Sequence, residues 1–519
     1  MDPACIRHTD VPGTTRLFAD FTYHFDRVAR FYRHNPHDPG SLAAAAAEID
    51  YPAQRRAAMV SALRRQNGES ESLRRLADPG TVAVVTGQQV GLFSGPAYTV
   101  YKAITAAQLA RDLSARGIPA VPVFWLATED HDFAEVNHAW VFDSSGQPEE
   151  FSVLPPPETN GRQRPVGGIV LDRPPVDELA RLLAPFPHGE DVIAAVRGAY
   201  RPGATMGAAF QTLLKHVLDK LGLLFLDPLD PSVREIGAPL VAEALGAARE
   251  LKTKLLERNR ELEAAGYHAQ VHLEEKTSLF FLLDNGERVP LRRHNSDFAD
   301  LRPRAAEISP NALLRPVMQD YLLPTVAYIG GPAELAYLAQ SQVIYDRLLG
   351  RMPVVTSRTS FTLLEPRAHK LLQRYHLSLP QTFVDPEHLK EKIARALVPE
   401  SVERAFADAH DGLTHNLDCL NRELEKFDHT LAEALAHGKS KMVYQLEKLR
   451  RKIERETMRR DDRAGAEAAY LSNLLFPHRH LQERFYSILP FIARHGMGLI
   501  DSLSDAARVD CPDHRVLLI

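Results

Sequence analysis

Four ionisable residues in a row, Glu129-Asp130-His131-Asp132, follow the apolar stretch Phe124-Trp125-Leu126-Ala127-Thr128. Open α/β sheets bind ligands at the carboxyl ends of their strands, and a buried strand that ends in such a cluster fits that position. Extended geometry predicts Glu129 and His131 on one side and Asp130 and Asp132 on the other. Carboxylates beside His131 raise its pKa and make it a usable acid or base; the same carboxylates suit a substrate ammonium group. A hard metal ion held by the oxygens, an acidic helix cap and a plain loop are the other uses of these residue types.

A second candidate lies upstream, in Thr86-Gly87-Gln88-Gln89-Val90-Gly91-Leu92-Phe93-Ser94-Gly95-Pro96. Between a strand and a helix, such a loop places the first helical N–H groups and the positive end of the dipole next to an anion. Gly91 and Gly95 allow close backbone approach, and Pro96 suits a first helical turn because it sacrifices no hydrogen bond there. Lys102 is placed to reach a carboxylate or phosphate. The spacing matches neither the P-loop nor the dinucleotide fingerprint. Gly330-Gly331-Pro332-Ala333 repeats the device: Gly-Pro-Ala opens a helix, and a tyrosine (Tyr101 or Tyr337) lies six residues after the glycine. Two such helix starts can face one cleft. Ser357-Arg358 offers a guanidinium to a carboxylate, of a ligand or of the protein. His268 and His272 read as histidines on a strand, too far apart for a compact metal pair. Gly438-Lys439-Ser440-Lys441-Met442 reads as the tip of a helical hairpin, away from the chemistry.

The elements that must position these residues follow from periodicity. Residues 1–80 read as helical, with Arg55-Arg56 and Arg64-Arg65 on a solvated face. Thr81–Val85 is a short β-branched run typical of a strand buried on both faces. A helix from Pro96 to about Arg116, closed by Gly117, and a strand over 119–127 complete a βαβ unit of a parallel sheet. Pro155–Pro157 and Pro174–Pro175 mark loops, 206–221 reads as helix and 223–226 as strand. Alternation around Asp284-Asn285-Gly286 predicts a hairpin. Residues 321–329 and 352–357 read as further core strands.

Leu413, Leu417, Leu420, Leu424, Phe427 and Leu431 then repeat at 4-3-4-3-4 spacing, and Met442, Leu446, Leu449 and Ile453 at 4-3-4. Heptad seams on either side of Gly438 predict an antiparallel coiled-coil hairpin, long enough to recruit a second copy of the chain. The expected organisation is a parallel-sheet α/β core over 1–384 with insertions around 150–310, a helical hairpin over 385–469, and a segment over 470–519 that returns to the core.

Composition narrows the functions. The 519 residues carry 62 Lys and Arg against 67 Asp and Glu, a net charge of −5, so there is no basic excess to neutralise a nucleic-acid backbone. Three scattered cysteines, Cys5, Cys419 and Cys511, exclude a disulfide scaffold and a multi-cysteine zinc site; no structural zinc is expected. Without a signal-like start or a long apolar run, the expected location is the cytoplasm.

Val85 to Pro96 with Tyr98 and Lys102, Phe124-Trp125 through Asp132, Arg315-Pro316-Val317-Met318-Gln319-Asp320, Tyr328 to Pro332, Pro353 to Glu365, and Leu481-Gln482-Glu483-Arg484 with Leu489-Pro490 together resemble the bacillithiol-biosynthesis cysteine-adding enzyme family. The resemblance runs from about residue 80 to 500. It implies a Rossmann-like core with connecting-peptide insertions, a dimer-promoting coiled coil, and the joining of cysteine to the amine of glucosaminyl-malate to give bacillithiol. Making that amide from a free carboxylate requires activation, for which ATP with Mg²⁺ is the natural donor. Carried over, catalysis falls to Glu129, Asp130, His131 and Asp132. Substrate or nucleotide binding falls to Thr86, Gly87, Gln88, Gln89, Gly91, Ser94, Gly95, Pro96, Tyr98, Lys102, Trp125, Gly330, Gly331 and Arg358. The His-x-Gly-His signature of class I synthetases is absent. A non-catalytic dimeric scaffold that binds the pathway intermediate or a nucleotide is the alternative, and a metal-assisted hydrolase is a third.

Overall fold

Along Val82–Gln88, successive side chains enter two different cores, as a strand buried on both faces requires. Val82 and Val84 pack with Ala106, Leu109, Ala110 and Leu113 of the Tyr98–Ala115 helix. Ala83 and Val85 join the larger cluster on the opposite face, with Trp125, Leu240 and Leu335. The computed structural model describes residues 4–154, 164–274, 277–292, 298–461 and 463–519, so the loop expected at Pro155–Pro157 lies outside the described residues. They form two compact units, one of residues 1–363 with 482–519, the other of residues 364–481.

The first unit is built on a five-stranded sheet in the order Val354–Ser357, Thr325–Gly330, Val82–Gln88, Ala120–Leu126, Leu224–Leu226. All neighbours are parallel. From Val82–Gln88 the chain steps outward one way to Ala120–Leu126; from Thr325–Gly330 it steps the other way to Val354–Ser357. The gap between the two inner strands is therefore the topological switch point, where the crossovers diverge and leave a crevice at the strand ends. This is the parallel sheet expected from the βαβ pattern, and the Rossmann-like core that the resemblance implies.

The hairpin expected at Asp284-Asn285-Gly286 is present, pairing Phe280–Asp284 with Glu287–Pro290. Asn285 and Gly286 have φ of 51° and 78°, the two positive values that a tight primed turn needs. Ile308–Pro310 adds a third strand that local alternation did not reveal. Three expectations change. The described residues around His268 and His272 form no strand. Tyr321 belongs to the Arg315–Leu322 helix, and the strand starts only at Thr325. Arg56 is buried rather than solvated, donating to the carbonyls of Leu76 (2.9 Å) and Thr81 (3.0 Å); carbonyls left over at loop ends outcompeted water for its guanidinium.

The second unit contains the predicted hairpin, with helices Glu400–Phe427 and His429–Arg460 of 28 and 32 residues. At 1.5 Å per residue they are about 42 and 48 Å long. The break falls at Asp428, not Gly438. Asp428 is extended, and its carboxylate accepts from the N–H groups of Thr430 (2.8 Å) and Leu431, whereas Gly438 sits inside the second helix. A glycine in a helix costs only about 1 kcal/mol, which hairpin packing overrides, while an N-cap aspartate satisfies donors that no neighbour can reach. Among the described residues no helix is long and apolar enough to cross a membrane.

A β-carbon added at Gly438 would meet only open space. Gly438→Ala is expected to stabilise the helical unit by about 1 kcal/mol, and Asp428→Ala to destabilise it by a similar amount. Urea unfolding followed by helical circular dichroism measures both; the reverse order would place the break at Gly438.

Candidate functional site

The switch-point crevice opens into a cavity of about 350 Å³. Gly87, Gln88 and Gln89 reach it from the end of the first inner strand and Tyr328 from the second, with Gly331, Pro332, Ala333 and Glu334 at the start of the Pro332–Leu348 helix. The two Gly-Pro-Ala helix starts do flank one crevice, but unequally. The second contributes its backbone and Tyr337, whereas Tyr101 is fully buried against Phe361.

Lys102 is the structural centre of the cavity. It is 1% exposed, and its ammonium donates to Gly87 O (2.6 Å) and Gln88 Oε1 (3.0 Å) and pairs with Glu334 Oε2 at 2.5 Å. Glu334 in turn accepts from the Tyr328 hydroxyl (2.7 Å) and the Gly331 N–H (2.8 Å). Burial pushes the Lys102 pKa down, against the pull of Glu334. Burial alone would raise the Glu334 carboxyl, but the Lys102 charge and hydrogen bond hold it below its ordinary range. The carboxylate reached by Lys102 is thus the protein's own.

Asp130 also lines the cavity. Gln89 Nε2 bridges it to Glu135, at 2.8 Å to Asp130 Oδ2 and 2.7 Å to Glu135 Oε2. Burial works to raise the Asp130 carboxyl, but Arg315, the Gln89 amide and the His131 N–H hold it below its usual range. Arg315, although buried, is kept charged by Tyr337, Tyr328 and Asp130. Arg358 and Arg484 approach the Tyr98 ring to 5.3 and 5.9 Å, and all three line the cavity. Trp125 Nε1 and Gln319 Nε2 are buried lining-residue donors with no hydrogen-bond partner among the described residues.

The acidic cluster does not act as a block. The strand ends at Leu126, so Glu129 to Asp132 follow a turn and the expected alternation of an extended chain is lost. Asp130 alone of the four lines the cavity. Glu129 is 3% exposed and pairs with Arg234 at 2.5 Å. Burial raises its pKa against the charges of Arg234 and Arg288. His131 Nδ1 lies 2.8 Å from Arg288 Nη1, with its ring 5.6 Å from Phe281. Asp132 caps the Phe133–Val136 turn, accepting from Glu135 N. Their side chains therefore do not converge on one ion, and among the described residues no group of three or more His, Cys, Asp or Glu is placed to hold a metal.

The glycine loop divides in the same way. Gly87, Gln88, Gln89, Tyr98, Lys102 and Trp125 line the cavity; Thr86, Gly91, Ser94, Gly95 and Pro96 do not. The Thr86 hydroxyl donates to Ile329 O, tying the two inner strands together. A β-carbon on Gly91 would lie 2.9 Å from Gly95 Cα, so that glycine serves the loop's own packing. Ser94 faces Ser487, whose hydroxyl donates to Phe93 O. Gly330 is likewise outside the lining, while Gly331 and Arg358 are within it. Arg315, Gln319, Tyr328, Glu334, Tyr337, Glu135 and Arg484 escaped the reading of the residues as site members. Tyr337 carried a local signal in the repeated Gly-Pro-Ala start, and Glu334 another, three residues after a helix-opening glycine, where a carboxylate folds back onto the N-cap N–H.

Residues 1–359 match the family description "Bacillithiol biosynthesis BshC, N-terminal Rossmann-like domain", and residues 361–519 match "Bacillithiol biosynthesis BshC, C-terminal coiled-coil domain". Relatives named "Putative cysteine ligase BshC" include one from Solibacter usitatus, 50% identical over 100% of both chains. One from Koribacter versatilis is 38% identical over 100% of both, and one from Salinibacter ruber 34% identical over 96% of both.

Arg358 is held in the cavity wall by Glu483, which it meets through Nη1 at 2.9 Å and Nη2 at 2.6 Å. Both side chains are at most 5% exposed. Burial opposes ionisation of Glu483, yet Arg358, His514 and the Phe361 N–H bring its pKa down to about 2 from an ordinary 4.5. A carboxylate with a depressed folded-state pKa stabilises above its unfolded value and loses that contribution as pH falls. The unit should therefore lose stability between pH 4.5 and about 2. Glu483→Gln is expected to cost about 3–5 kcal/mol at neutral pH, by stranding the Arg358 charge, and to flatten the acid limb. Denaturant unfolding across that pH range checks both effects.

Proposed function

Because the chain belongs to the bacillithiol-biosynthesis BshC family, we propose that it is an amide-forming ligase that adds cysteine to the amine of glucosaminyl-malate. The observation that carries this reading is that one small cavity is lined by groups of both charges. Asp130 and Glu135, bridged by Gln89, suit an amine; Arg315, Arg358, Arg484 and Lys102 suit carboxylate and phosphate oxygens. The Trp125 and Gln319 donors, which meet no acceptor among the described residues, supply neutral hydrogen bonds to a polar ligand; donors left over in a buried wall call for such a partner.

ATP, with Mg²⁺ on its phosphates, is the donor we assign, supplying activation of the cysteine carboxylate. Arg315 and Arg484 are the side chains we assign to its phosphates, since Lys102 and Arg358 are already in direct ion pairs with Glu334 and Glu483. Asp130 accepts a hydrogen bond from the attacking amine and takes its proton as the new bond forms. We give the proton transfer to Asp130 rather than to His131, which does not line the cavity and which meets Asp130 Oδ1 with its backbone N–H at 2.7 Å and its ring Nδ1 at 3.7 Å.

Mass-spectrometric detection of bacillithiol after incubation with cysteine, glucosaminyl-malate and ATP–Mg²⁺ is the test. Asp130→Asn should lower turnover at least about 100-fold, whereas His131→Ala, which keeps the backbone N–H, should stay within about tenfold. Equal loss in both would return the role to His131. Folded protein that binds the substrates without making product would favour the scaffold reading.

We also propose that the hairpin is a homodimer contact. Leu420, Phe427, Leu431, Met442, Tyr444 and Leu449 on its two helices are each at least 45% exposed, a seam that the hairpin leaves open. Leu420→Glu with Leu449→Glu should halve the mass measured by sedimentation equilibrium with helix content unchanged; an unchanged mass overturns the contact.

A further inference from the structure

Cys5 and Cys511 are 506 positions apart, yet their sulfurs lie 3.8 Å from each other. The sheet produces this proximity. Ala4–Ile6 pairs antiparallel with His514–Leu518, placing Cys5 opposite Arg515, and Pro512-Asp513 returns the chain so that Cys511 meets Cys5. Cys5 is exposed and Cys511 half-buried, so a small oxidant reaches both. A disulfide has sulfurs about 2.05 Å apart, so closure asks for a movement of about 1.8 Å. Cys511 sits in irregular chain outside any strand or helix, where no ladder resists that shift.

We propose that Cys5 and Cys511 are an oxidation site, closing reversibly into an intramolecular disulfide on exposure to a hydroperoxide. One thiolate of the pair attacks the peroxide, becoming a sulfenic acid and releasing water or an alcohol once the leaving oxygen is protonated. The other thiolate then displaces hydroxide, which leaves as water after taking up a proton. Two thiols lose two electrons and two protons; the peroxide O–O bond accepts both electrons.

The bond would staple the first strand to the turn ahead of the last. That turn matters to the core: Cys511 lines a second cavity, of about 580 Å³, whose wall includes Arg358 and Thr359. One residue beyond His514, the Arg515 N–H donates to Ser360 O at 2.9 Å. The staple therefore fixes chain that packs beside Arg358.

The test treats the full-length protein with stoichiometric hydrogen peroxide and maps peptides without reduction. Expected are a Cys5–Cys511 linked peptide two hydrogens lighter than its parts, restoration of both thiols by dithiothreitol, and a melting midpoint about 2–5 °C higher. Cys5→Ser and Cys511→Ser should melt like the reduced parent and show neither the linked peptide nor the shift. Stable oxygenated thiols without the linked peptide, or linkage through Cys419, overturn the site; a linked peptide without the thermal shift overturns the staple.

Discussion

An ammonium group at 1% exposure is tolerable only when its donors are met, and Lys102 has three acceptors for its three N–H bonds: Gly87 O, Gln88 Oε1 and Glu334 Oε2. They come from the end of one inner strand and from the helix that follows the other. Satisfying this charge therefore fixes how the two inner strands end relative to each other. The crevice between them, which any doubly wound sheet offers, is shaped here by that requirement.

The rest of the cavity is organised by the same logic of buried charges meeting internal partners. Glu334 is held by Tyr328 and Gly331, and Arg358 by Glu483, which also accepts from the Ser360 hydroxyl and the Phe361 N–H. Ser360 and Thr362 meet the two nitrogens of His514, a ring that burial keeps neutral, with its pKa down to about 4. Such networks are costly to break at one member, because each removal strands a charge in a medium that cannot solvate it. Groups not absorbed in this way, Asp130 with Glu135, Arg315, Arg484 and the donors of Trp125 and Gln319, are those left to face a ligand.

The sheet unit and the hairpin differ in what holds them. The sheet unit rests on apolar clusters on both faces of its strands. The hairpin buries little: its first helix has no fully buried residue and its second has Ala432 and Glu454. A helix pair of this length with an exposed apolar seam lacks a core of its own, which explains why local devices such as the Asp428 cap weigh more there.

Much of this was legible in the sequence. Short apolar, β-branched runs gave the inner strands, Asn285-Gly286 gave the hairpin turn, and 4-3 spacing gave the helical pair, because each reports a local pattern or a local φ requirement. The motif blocks from Val85 to Pro490 gave the family. Tertiary structure alone decided which polar residues meet. Glu129 and Asp130 are neighbours of the same type in the chain, yet one is sequestered by Arg234 and the other faces the cavity; Cys5 and Cys511 stand 506 residues apart and touch. Spacing along a chain carries the geometry of one element, whereas charge pairing and burial depend on which elements the sheet order brings together, and that order is a property of the whole fold.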